Sequence, residues 1–183
     1  IHLGYLAYDQ DRERAFIPNE EVRMELIKAV KRRKWDEMIQ FQQTSMKLLE
    51  ATLDMNEKGV AAEIEKIHSD YTSVIQYNDE NSLSCTINLA FYFAREYYTI
   101  VREMPAGKGY ADICMIPRKE HLDKPAVVIE LKWDKSTVGA LEQIKEKNYG
   151  SALKEYQGKL LLVGINYNRK TKKHECAIEV MEK

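Results

Sequence analysis

Two hydrophobic rhythms divide the chain. Up to about residue 97 apolar positions recur every three or four residues, and beyond it they alternate or run together in β-branched stretches. The opening is an exception. Residues 3–8 (LGYLAY) and 15–18 (AFIP) read as two short strands around the charged turn DQDRER. Pro18-Asn19 then signals a helix start, with Asn19 as N-cap and Glu20 and Glu21 in the first turn, where negative charge suits the helix dipole. Val22, Leu26, Ile27 and Val30 follow at helical spacing, and the cations Lys31 to Lys34 close that helix. A second helix is expected from Trp35 to about Met55 on Met38, Ile39, Phe41, Met46, Leu48, Leu49 and Leu53. After the break at 54–59 a third runs to about Ile75 on Val60, Ile64, Ile67, Tyr71 and Val74. A fourth opens near Tyr77, capped by Asn78 or Asp79, and buries Leu83, Ile87, Leu89, Phe91, Phe93 and Tyr97.

The second rhythm predicts strands at 99–104, 110–117 and 126–133, a helix from Thr137 to about Tyr156, and strands at 160–167 and 175–181. The helix between the third and fourth of these strands is long enough for a parallel crossover. The expected fold is therefore α/β, a mixed central sheet flanked by helices over residues 77–183. A mostly helical, winged-helix-like appendage at 1–76 precedes it.

Composition adds limits. An apolar share of 44% and a charged share of 31% in 183 residues fit a globular protein with a real core. A formal net charge of −1 excludes a uniformly basic nucleic-acid coat but leaves room for a local basic groove. Cys85, Cys114 and Cys176 are scattered and odd in number, which reads as reduced, mostly buried thiols of a cytoplasmic protein. The histidines His2, His68, His121 and His174 lack metal-ligand spacing. The longest apolar runs are too short to span a bilayer, so no membrane partner is expected. No signal-peptide pattern opens the chain, and a start at Ile1 reads as a piece of a longer protein.

Candidate chemistry concentrates in 107–133, GKGYADICMIPRKEHLDKPAVVIELKW, which reads as a β-hairpin. Side chains alternate along a strand, so Glu130 and Lys132 emerge together, opposite to Ile129, Leu131 and Trp133. The preceding arm brings Asp112 as its only charge. An acid beside an acid and a lysine on the next strand makes a cradle for a divalent cation and a water.

The series Gly107, Gly109, Asp112, then Glu130 and Lys132 at the end of an apolar strand, then A-L-x-Q-I-x-x-K-x-Y at 140–149, resembles the PD-(D/E)XK nuclease superfamily. More closely it resembles the bacterial nuclease-like domain that follows an AAA-type ATPase-like domain. GYLAYD and IPNEEV near the start resemble the segment joining those two parts. The resemblance covers nearly the whole chain and implies a restriction-endonuclease-like fold. It also implies metal-dependent phosphodiester hydrolysis of nucleic acid, with DNA the expected substrate. No phosphate-binding G-x-x-x-x-G-K-[ST] is present, so an ATPase-like partner would lie outside this sequence.

Carried over residue by residue, the resemblance makes Asp112 and Glu130 ligands of Mg²⁺ or Mn²⁺ and Lys132 the group that orients or activates water. Glu80 becomes an additional metal ligand, and Gln143 and Tyr149 belong to the helix flanking the site. Plainer roles stand beside these. Asp112 could cap the hairpin or pair with Arg118, Glu130 and Lys132 could be a solvent-facing ion pair, and Glu80 could merely complement a helix dipole. The strand AVVIELKW reads as central and buried, which counts against the solvent-facing pair. On an ideal helix Tyr149 groups with Val138, Ala152, Leu153 and Tyr156, well round from Gln143, which shares its side with Lys147. Ala111 stands where the superfamily has proline, and the two glycines could serve only the turn. The rival reading is a catalytically inactive nuclease-fold module that binds nucleic acid or protein and works with an ATPase-like domain.

Overall fold

The computed structural model describes residues 7–9, 14–16, 19–21, 23–24, 33–71, 80–106, 109–146 and 158–181. By its contacts the chain forms two compact units, 1–41 and 42–183. In the first, β1 (Ala7–Asp9) and β2 (Arg14–Phe16) pair antiparallel. Asn19 caps the helical residues after it, its Oδ1 accepting the Glu21 N–H at 2.8 Å. The expected apolar positions Val22, Leu26, Ile27 and Val30 fall outside the described residues. Helix α1 (Arg33–Leu53) spans the junction between the units. Its Phe41, Leu48 and Leu49 are buried, as expected, but Met38 and Ile39 are exposed.

The second unit holds α2 (Glu57–Tyr71), α3 (Glu80–Ala90), a short 3-10 turn (Tyr92–Glu96) and the five strands of the main sheet. These are β3 (Tyr98–Ala106), β4 (Gly109–Pro117), β5 (Ala126–Trp133), β6 (Leu160–Asn168) and β7 (Lys173–Met181). Helix α4 (Thr137–Glu146) follows β5. The strands lie in sequence order, antiparallel except for β5 and β6, which run parallel across the α4 crossover as the spacing predicts. The result is a mixed sheet with flanking helices, a restriction-endonuclease-like α/β fold. The compact unit begins at 42, so it takes in two helical stretches that the rhythm alone assigned to the appendage.

The fourth helix is shorter than expected. It ends at Ala90 and the chain tightens into the 3-10 turn, so Leu89 is exposed while Leu83, Ile87 and Phe91 are fully buried. Ser45 of α1 fixes this ending: its hydroxyl donates to the Ala90 carbonyl at 2.6 Å and accepts the Phe93 N–H at 2.9 Å. Satisfying carbonyls left over at a helix end is what makes such an ending tolerable inside a core.

Every residue of β5 except Trp133 is buried, and all of β6 except its last residue. On one sheet face Leu141 and Ile144 of α4 pack against Ala126, Val128, Leu160, Leu162 and Cys114. On β7, α2 supplies hydrogen-bond partners to the strand's backbone. Glu57 accepts the Ile178 N–H at 2.8 Å and Glu65 the His174 N–H at 3.2 Å. A carboxylate over an edge N–H removes a template for strand addition.

Candidate active site

The β4–β5 ladder starts at Met115↔Val127 and runs only to Ile113↔Ile129. The next pair in register would be Asp112 with Glu130, and there the backbones part. Asp112 fills the gap with its side chain, its Oδ2 accepting the Leu131 N–H at 2.7 Å. On the other flank, the β3–β4 pairing skips Glu103 opposite Asp112, and Glu103 adopts φ 50. A non-glycine residue in the left-handed region inside a strand is a local distortion of the kind that gathers at functional sites. Asp112 thus stands outside the ladder on both sides, at the mouth of a fork.

Glu130 and Lys132 share the α4 face of β5, and both are buried, at 2% and 7% exposure. They bond to each other and to Gln143. Lys132 Nζ lies 3.3 Å from Glu130 Oε1 and donates to Gln143 Oε1, while Gln143 Nε2 donates to the same Glu130 oxygen. The three side chains close a ring of polar contacts. Such closure is what a buried acid and lysine need, since either alone would carry an uncompensated charge.

Gln143 reaches this position because α4 sits close to β6. Gly164, in register with Glu130, has no side chain; a Cβ there would lie 2.7 Å from the Thr137 carbonyl oxygen and 2.9 Å from Ala140 Cβ. An isolated glycine in an apolar strand often marks such an approach. Ser136 caps the helix, its Oγ accepting the Gly139 N–H at 3.0 Å. The buried face of α4 is Ala140, Leu141 and Ile144, while Val138, which sequence periodicity grouped with Tyr149, is exposed. Tyr149 and Lys147 lie outside the described residues, as does Gly107.

Burial dominates the electrostatics of Asp112 and raises its carboxyl from 3.8 to about 6. The Leu131 N–H pulls the other way, the neighbouring Glu130 and Glu80 push it further up, and Lys132 pulls it down. Glu80, at the start of α3, therefore acts on Asp112 through charge. The structure brings together Asp112, Glu130, Lys132 and Gln143, with Glu80 in electrostatic range. The pairing of Asp112 with Arg118 weighed from the sequence does not occur among the described contacts; the Leu131 amide takes that place.

The donor set suits a small hard cation. Among the described residues no three metal-ligating side chains form a preassembled group. Two carboxylates at a fork suffice for Mg²⁺, which keeps several waters. An acid pushed up by burial and by neighbouring carboxylates gains from a cation placed beside it. Cys114 and Cys176 offer no rival chemistry at neutral pH. Burial pushes Cys114 up to about 12, burial and then Glu57 push Cys176 to about 12, and Cys85 is exposed where a buried thiol was expected.

Against known families, residues 78–176, just over half the chain, match the model described as the PD-(D/E)XK nuclease superfamily. The chain belongs to that superfamily. A search of curated proteins returned no match. The matched span contains the fork, the Glu130–Lys132 couple and α4, and the superfamily's activity is nuclease-type phosphodiester hydrolysis, generally with divalent metals. No helix among the described residues is long and apolar enough to cross a membrane.

Sequence reasoning missed two residues on β6. Gly164 and Asn166 are in register with Glu130 and Lys132 respectively. The interruption of the apolar run LLLVGINY by a glycine and then an asparagine was the available signal.

Proposed function

We propose that this chain is a Mg²⁺- or Mn²⁺-dependent nuclease acting on DNA, with Asp112, Glu130 and Lys132 as its reactive core. The observation that carries the reading is the fork: Asp112 released from both ladders beside a buried Glu130–Lys132 couple. Asp112 and Glu130 would hold the cation, with Glu80 adding negative charge at the edge of the site. A bound divalent ion supplies a lowered pKa for its water and charge neutralisation at the scissile phosphate. Lys132, held by Gln143, points an ammonium into the site, where it orients the attacking water and stabilises charge developing on the phosphate oxygens. Gln143 keeps that amine and the Glu130 carboxylate in mutual register.

The resemblance of GYLAYD and IPNEEV to a joining segment supports a cytoplasmic bacterial protein in which the stretch ahead of the nuclease-like unit links it to an ATPase-like domain. One observation favours a second reading, a binding module without catalysis. The oxygen Oε1 of Glu130 is already shared by Lys132 and Gln143, so the acid and the amine compensate each other without a cation.

Cleavage of single- and double-stranded DNA by the 183-residue chain, with Mg²⁺ or Mn²⁺, separates the two. Cleavage is expected, and Lys132→Ala should lower kcat by about 10²- to 10³-fold, as loss of one charge-stabilising donor does. Asp112→Ala should abolish it. Activity that survives both substitutions rejects the site, and DNA binding without cleavage favours the binding module.

A further inference from the structure

We infer that Asn166 is a positioning residue: by holding the β5–α4 connection through the Lys135 amide, it sets the helix from which Gln143 reaches Glu130 and Lys132. The activity arm of this inference rests on the nuclease reading above; its spectroscopic arm does not.

Asn166 is the β6 register partner of Lys132, so the two side chains stand next to each other on the α4 face. It is 1% exposed, a buried polar group in a strand whose other buried residues are Leu, Val, Ile, Gly164 and Tyr167. Both ends of its amide are engaged. Oδ1 accepts the Lys135 N–H at 3.1 Å, and Nδ2 donates to Glu175 Oε2 at 3.3 Å, Glu175 being its register partner on β7. These partners fix the amide's orientation, since a backbone N–H demands the oxygen and a carboxylate demands the nitrogen.

Lys135 lies three residues beyond Lys132 and two before α4 begins. The chain leaves β5 sharply there. Asp134 sits at φ 52, its N–H bonds the Tyr167 carbonyl at 2.9 Å, and its carboxylate takes the Arg169 N–H at 2.6 Å. Two β6 residues then govern the path onto the helix. Asn166 seizes the amide before the helix, and Gly164 admits Thr137 and Ala140 of its first turn. Helix α4 is docked at its start, and Gln143 projects from the turn after. A small rotation of that start would swing Gln143 off the two charged groups, and misplacement of about 1 Å in a catalytic constellation is costly.

The chemistry of the asparagine makes the inference testable by exchange of roles. Asn166→Leu keeps the branched shape, with somewhat larger bulk, but leaves the Lys135 N–H without its acceptor. Asn166→Asp keeps the acceptor but sets a carboxylate against Glu175. Asn166→Asp with Glu175→Gln restores a donor–acceptor pair in the reverse sense. In the metal-free protein, amide exchange at Lys135 is expected to quicken about tenfold in Asn166→Leu, the equivalent of one hydrogen bond. The Gln143 side-chain NH₂ resonances should move as its contacts to Glu130 loosen. With Mg²⁺, kcat should fall about 10- to 100-fold with KM within about twofold, since the change misaligns chemistry and leaves binding alone. In Asn166→Asp, repulsion between the two carboxylates should turn the new side chain away from Glu175 and off the Lys135 amide, with the same losses, and the double variant should recover both the Gln143 signal and kcat.

Unmoved Gln143 resonances in Asn166→Leu and Asn166→Asp overturn the inference, as does a double variant that recovers neither readout. If Asn166→Leu does not fold, the Asn166→Asp single and double variants decide on the same signals. If the wild type cleaves nothing, the nuclease reading fails, and the Gln143 and Lys135 signals alone decide the positioning role.

Discussion

Asp112 shows how one residue can be costly to the fold and suited to a site. Its carboxyl is held at about 6 against an ordinary 3.8, first by burial and then by Glu130 and Glu80, with the Leu131 N–H and Lys132 in opposition. A raised acid pKa means that the folded state prefers the proton. Above pH 6 the ionised form therefore carries the full penalty, and below about pH 4 it carries none. The difference of about 2 units corresponds to an upper figure of about 3 kcal/mol in the metal-free protein. Asp112→Asn keeps an acceptor for the Leu131 amide and removes the charge. Urea unfolding in EDTA should find it more stable than wild type at pH 7.5 and nearly equal at pH 4. The reverse order at pH 7.5 would mean that Asp112 is well solvated or already compensated. Bound metal should offset the same penalty, so millimolar Mg²⁺ is expected to raise the wild-type Tm and leave Asp112→Asn unmoved.

At the scale of elements, β6 determines where α4 lies. Gly164→Ala would set a methyl group 2.7 Å from a backbone oxygen and 2.9 Å from Ala140 Cβ, so the helix must move. Overpacking of this kind costs about 1–3 kcal/mol. Denaturant unfolding should show that loss, and nuclease activity should fall further than stability explains because Gln143 moves with α4. A neutral effect on both would show that α4 shifts freely. The same elements show what a sequence discloses. The bounds of β5 were legible because a β-branched run between Pro125 and a charged turn has few other uses. The pairing of Glu130 with Lys132 followed from alternation alone. The end of α3 was not legible, because Phe91, Phe93 and Tyr97 continue a helical spacing while Ser45, far away in the chain, terminates the helix. Nor was the fork, since it depends on an aspartate finding a backbone amide 19 residues ahead. Helical periodicity could not say which face of α4 was inward, and the contact of Gln143 with Glu130 and Lys132 answered that through Gly164. Local patterns name elements; positions that depend on long-range partners become visible only once those partners are placed.

Across the 42–183 unit, the docking of α2 onto the edge of the sheet rests on titratable groups. The His174 ring is fully buried between strand and helix, edge-on to His68 and tilted against Tyr167, whose ring also meets Trp133. Its Nδ1 lies 2.9 Å from Glu65, the same carboxylate oxygen that accepts its backbone N–H. Burial lowers the pKa of His174 in spite of Glu65, with His68 adding to the decrease. Burial likewise lowers His68, against Glu65. Both rings are thus neutral by preference in the folded state. Their contribution is fully present above the unfolded value of about 6.5. As pH falls below it, the unfolded chain takes up protons that the folded chain refuses, and stability drops by at most about 1.4 kcal/mol per pH unit for each ring. Asp112 works in the opposite sense over the same range, so the test belongs in an Asp112→Asn background. There, unfolding free energy should decline from pH 7 to pH 5, and His174→Gln should flatten the decline. Amide exchange should show α2 losing protection in acid before β5 and β6, because the helix is held at β7 while those strands are buried on both faces. Uniform loss of protection across helix and sheet would instead make the unit a single cooperative block, with the histidines acting on its global stability.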